Sequence, residues 1–110
     1  MKFKHKELEF VEIYNDLDFH KFLQKSFGFP NFYGNNINAL IDCLSGLRYP
    51  DEGMISLNID TDEILLLTII KFDSLESNLM KMFIRVIGEV NKRQIKKGNN
   101  IAILLKIIGD

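Results

Sequence analysis

The stretch of this sequence whose residue types and spacing best suit a working surface is Phe29-Pro30-Asn31-Phe32-Tyr33-Gly34-Asn35-Asn36-Ile37-Asn38-Ala39-Leu40-Ile41-Asp42-Cys43-Leu44-Ser45-Gly46-Leu47. Apolar residues at 37, 40, 41, 44 and 47 repeat at the spacing that lays one face of a helix on a core, and Asn38, Asp42 and Ser45 fall on the opposite face. A carboxylate in such a polar ridge can accept charge-assisted, often bidentate hydrogen bonds from arginine or histidine. Asn35 or Asn36 is suited to cap the start, and Gly46 to loosen the end. At 100° per residue Ile41 points between stripe and ridge, which predicts half exposure where Leu40 and Leu44 are buried. Among the nearby aromatics, Tyr33 is the one whose hydroxyl could serve at a surface.

Other chemistry is poorly supported. His5 lies in a charged N-terminal segment and His20 in a helical stretch, and both read as solvated. Together with Cys43 they make only three scattered candidate ligands, so no metal site is expected. No nucleophile elbow or paired catalytic carboxylates stand out, so neither an enzyme nor a cofactor is expected. Cys43, on the border of the apolar stripe, reads as a small packing residue, and a lone cysteine cannot form an internal disulfide. The basic cluster at 92–97 closes a long helix, where cations favour the negative end of the macrodipole, and it lacks the interleaved aromatics of a nucleic-acid surface.

The elements that must position the ridge read as follows. Residues 7–14 alternate loosely and suggest an opening strand. A helix capped by Asn15 or Asp16 carries Phe19, Phe22, Leu23 and Phe27, and Gly28 and Pro30 stop it. After the ridge helix, 49–53 forms a turn. Residues 54–60 and the apolar run 64–70 are separated only by Thr61-Asp62, which predicts a hairpin over 54–71 with an extra strand. Asp73 and Glu76 suggest a capping box opening a helix over 74–97, and 101–108 reads, like 64–70, as a strand covered on both faces. Strands separated by helices imply parallel pairing through crossovers. The class is α/β, a small, mainly parallel sheet of three strands packed against helices, in a single domain over 1–110.

With 46% hydrophobic and 26% charged residues, the composition is that of an ordinary globular protein. The basic N-terminus has no apolar run behind it to make a signal peptide, and no segment reaches a membrane span, so a reducing cytoplasm is expected. The formal net charge of −1 conceals an asymmetry: residues 7–63 carry 11 acids against three bases, while 64–110 carry eight bases against four acids. An acidic block of this kind predicts steering of a basic partner and repulsion of nucleic acid.

The pattern from Pro30 to Gly46, Pro-x-x-Tyr-Gly-x-Asn followed by Ala-Leu-x-Asp-Cys-Leu-x-Gly, resembles the barstar family of intracellular ribonuclease inhibitors. The resemblance implies a three-stranded parallel sheet packed on helices and inhibition by mimicry, with a carboxylate taking the place of a substrate phosphate in a basic ribonuclease cleft. Asp42 occupies the position of that acid. It further implies that Tyr33, Asn35, Asn38, Ile41, Asp42, Ser45 and Gly46 form one continuous partner-binding surface, Gly46 allowing close backbone approach. Asn38 stands where the best-known member has a second acid, and Ile41 and Leu47 stand where it has tryptophans. The expected partner is therefore a cognate basic toxin nuclease of different surface, with this chain as its immunity protein. The family's second contact region, on the long helix, is carried over to no residue. The competing reading is a cytoplasmic interaction or regulatory module with a non-nuclease partner.

Overall fold

The computed structural model describes residues 2–109. Three strands, β1 (Lys2–Glu9), β2 (Glu63–Ile70) and β3 (Ile103–Ile108), form one sheet in that spatial order, and both pairings are parallel. Parallel neighbours need crossovers. Helices α1 (Asp16–Phe27) and α2 (Ile37–Leu44) lie between β1 and β2, and α3 (Ser77–Lys96) lies between β2 and β3. Among the described residues no helix is long and apolar enough to cross a membrane.

The helices cover one face of the sheet. Leu65, Leu67 and Ile69 of β2 point into a core shared with Leu23 of α1, Leu40 and Leu44 of α2, and Phe83, Val86 and Val90 of α3. Phe10 centres an aromatic cluster at the end of β1, with ring centroids 5.6 Å from Phe83 and 6.0 Å from Phe72. The opposite face of the sheet is open, so β2 and β3 are covered on one side and not on both as their apolar runs suggest: Leu66, Thr68 and Ile70 are partly exposed, and Leu104 and Ile108 are exposed.

The α1 ends follow from local chemistry. The Asn15 side chain accepts from Asp18 N at 2.8 Å while Asp18 Oδ2 accepts from Tyr14 N at 3.1 Å. Gly28, at φ 73°, donates to Gln24 O in the left-handed cap that only glycine adopts freely. The space there is closed too, because a Cβ at Gly28 would lie 2.5 Å from Ser56 Cβ.

That contact explains the largest correction to the expected elements. Residues 54–60 form no strand and there is no hairpin; Ser56 N donates to Gly28 O at 2.9 Å and Ile59 N to Leu47 O at 2.9 Å. The segment thus binds the ends of α1 and α2, and β2 takes β1 and β3 as its neighbours instead. The first strand is Lys2–Glu9 rather than 7–14, because its parallel register with β2 sets Lys2 against Glu63 and Glu9 against Ile70. On α3 the expected capping box at 73–76 is absent: Phe72–Ser74 is a separate 3-10 turn, and the helix begins after Glu76, which makes no side-chain cap.

Candidate functional site

Asn36 is the residue that starts α2, its side-chain oxygen accepting from Ala39 N at 2.8 Å and its amide donating to Gly34 O at 3.1 Å. Asn35 before it sits at φ 53°, a left-handed conformation that asparagine tolerates better than most residues. The loop is fixed from below by Tyr33, which is buried with its ring centroid 4.9 Å from that of Phe29 and tilted 45° to it. Its hydroxyl shares a 2.6 Å hydrogen bond with His20 Nδ1. Burial pushes the His20 pKa below its ordinary 6.5, with Asp16 pulling weakly the other way, and the same desolvation raises the Tyr33 phenol further above its ordinary range. His20 is therefore a packed, neutral part of the site's foundation and not the solvated histidine its sequence context suggests.

Of the seven residues expected to share one exposed surface, Asn35, Asn38 and Asp42 are exposed, while Tyr33, Ile41, Ser45 and Gly46 are buried. Ile41, at 9% exposure, is covered because α3 packs against the flank of α2 that an isolated helix would leave half open. Ser45 turns its Oγ back to donate to Ile41 O at 2.6 Å. At Gly46 the close approach is internal: a Cβ there would lie 3.2 Å from Cys43 O and 3.3 Å from Met54 Cβ. Cys43 is buried as well, its thiol pushed up to about 11 chiefly by desolvation.

Asp42 lines one groove, and its partner Arg93 separates that groove from a second. Asp42 Oδ1 accepts from an Arg93 guanidinium N–H at 2.8 Å, and the same nitrogen lies 3.4 Å from Ser45 Oγ. One groove, about 520 Å³, places Asp42 beside Glu52, Lys96 and Lys97. The other, about 770 Å³, runs past Asn35, Asn38 and Ile41 to Arg85 and Glu89. The acidic block of the sequence is therefore not an acidic patch around Asp42; folding sets the basic end of α3 against it. Each member of the Asp42–Arg93 pair stays about half exposed, so the pair contributes little stability, on the order of 0–1 kcal/mol.

Arg48, just past α2, is a residue whose role nothing in its local sequence signals. It is buried, and its guanidinium donates to Asn100 O at 2.8 Å, Gln94 Oε1 at 3.1 Å, Glu63 O at 2.7 Å and Ile101 O at 2.8 Å. One side chain thereby ties the exit of α2 to the start of β2, the end of α3 and the entry to β3. Asn91 adds a second tie, its Oδ1 accepting from Ala102 N and Ile103 N at 2.9 and 3.0 Å. These hold α3, and with it Arg93, in register with α2.

The fold is thus a parallel three-stranded sheet with helices on one face, presenting a capped helix with a single exposed acid. The family model described as Barstar (barnase inhibitor) matches residues 3–106, nearly the whole sequence, and the chain belongs to that family. Members of the family are inhibitors and not enzymes, with ribonucleases as their partners in general.

Proposed function

We propose that this protein inhibits a basic toxin ribonuclease in the cytoplasm, as its immunity partner, by seating α2 and the loop before it in the nuclease's active-site cleft. The observation that carries the reading is Asp42, the one acid on α2, half exposed on the wall of a groove in a chain of the inhibitor family. Its Oδ1 already accepts from an arginine at 2.8 Å, and Oδ2 is left for the partner. Asn35 and Asn38 would contact the partner beside it, and Arg93, one turn from the end of α3, joins them as a group that an acid or carbonyl of the partner can meet. Tyr33, Ile41, Ser45 and Gly46 then act from behind, setting the shape of the surface instead of touching the target. Capture of the partner from the source organism, followed by a ribonuclease assay of the captured protein with and without this chain, tests the reading. Stoichiometric suppression of cleavage is expected, and an active nuclease left uninhibited refutes it.

A second reading, an interaction module with a non-nuclease partner, is favoured by one feature: the acid is occupied by Arg93 and bordered by Lys96 and Lys97. It predicts a captured partner without nuclease activity.

A further inference from the structure

From the open face of the sheet we infer that the chain pairs with a second copy of itself, face to face, about a two-fold axis running roughly along β2. Parallel sheets are normally covered on both faces. Here the uncovered face presents Phe3, Leu66, Ile70, Leu104 and Ile108, with His5 beside Leu66; Phe3 is 46% exposed, Leu104 43% and Ile108 44%. The parallel registers align one row across all three strands, Glu7 beside Thr68 beside Lys106. That row carries an acid at one edge, a neutral hydroxyl at the centre and a base at the other edge. Glu9 is already paired with Lys71 at 3.1 Å, whereas neither Glu7 nor Lys106 has an ion-pair partner among the described residues.

This charge order selects both the occupant and the axis. Rotation about an axis along β2 carries β1 of one copy over β3 of the other without changing the level along the strands. Glu7 then meets the second copy's Lys106, Lys106 meets its Glu7, and Thr68 and Leu66 face each other's counterparts at the centre. An axis across the strands would instead set Glu7 on Glu7 and Lys106 on Lys106. Stacked sheets lie ~10 Å apart, a gap that glutamate and lysine side chains can bridge from opposite walls. Three strands over four rows present a face of only about 300 Å² at the usual strand and residue spacings. That is well under the ~800 Å² per partner of a standard stable interface, so the dimer is a weak one, formed at high protein concentration. The surface lies on the other side of the sheet from the helices, and the inference does not rest on the inhibitor reading.

Sedimentation velocity over a concentration series tests it with three samples. The wild-type chain is expected to pass from monomer to dimer as concentration rises. Glu7→Lys and Lys106→Glu each place like charges at both symmetry-related contacts, and each is expected to weaken dimerisation by about tenfold or more. An equimolar mixture of the two variants restores both contacts in the heterodimer only, and it is expected to recover the dimer. A wild-type chain that stays monomeric throughout overturns the inference and assigns the face to another partner. A dimer insensitive to either substitution, as edge-to-edge strand pairing would give, also overturns it, as does failure of the mixture to recover the dimer.

Discussion

Replacing Asp42 by alanine should cost binding more than it costs stability. In the folded chain the carboxylate has one strong bond, to Arg93 at 2.8 Å, with the Asp42 side chain 55% and the Arg93 side chain 47% exposed. Water screens such a pair and readily replaces either partner, so its loss costs the fold at most about 1 kcal/mol. That corresponds to a shift in melting temperature of no more than roughly 4–8 °C for a chain of this size. In the inhibitor complex the same carboxylate is taken out of water against a cationic cleft, where a hydrogen bond to a charged group is worth ~1.5–3 kcal/mol. Its removal should therefore raise Kd by about ten- to a hundredfold. Calorimetric titration against the captured nuclease, set beside thermal melts of both proteins, reads the two effects separately. The Arg93→Ala variant separates its two roles: freeing the acid should tighten binding by up to about fivefold, about 1 kcal/mol at most, if Arg93 only masks Asp42, whereas weaker binding would show that Arg93 itself contacts the partner. Unchanged affinity of Asp42→Ala for an inhibited nuclease would refute the mimicry argument.

Arg48→Ala strands three backbone carbonyls and Gln94 in a part-buried junction, and it should destabilise the fold by roughly 1–3 kcal/mol; urea denaturation checks this, and Arg48→Lys should recover little, since one ammonium cannot reproduce the fork. His20 is held neutral by burial with its pKa below 6.5, so the unfolded chain binds its proton first. Stability should therefore fall as pH drops from about 6.5 toward the folded pKa and gain no further slope from this residue below it. A His20→Gln variant should lose that part of the pH dependence in acid titrations of the melting temperature. Because Lys96 and Lys97 line the groove beside Asp42, Lys96→Glu with Lys97→Glu should speed association with a basic nuclease at low salt and lose that advantage at high salt, as stopped-flow mixing would show; no change at low salt would mean that steering comes from elsewhere on the surface.

What the sequence by itself determined is what short-range pattern can carry. The α1 and α2 helices declare themselves through apolar residues at helical spacing, asparagine caps and a glycine stop, all of which act within a turn or two of chain. The 64–70 run could only be a strand or a buried helix segment, and its length and β-branched content chose the strand. Asp42 was legible as an exposed acid because its helix position faces away from Leu40 and Leu44 whatever surrounds them. Tertiary structure decided every question of partnership. Residues 54–60 have the composition of a strand and became a strap because Gly28 and Leu47 offered them backbone partners while β1 took the edge of β2. Tyr33 and Ile41 have the chemistry of surface anchors and became internal because His20 and α3 cover them. Asp42 meets Arg93, and Arg48 meets Asn100 and Ile101, across about fifty residues of chain in each case, with |i−j| of 51, 52 and 53. Side-chain periodicity records which face of an element is dry; which element dries it, and which charge stands opposite, depends on sheet register and helix packing that no local window contains.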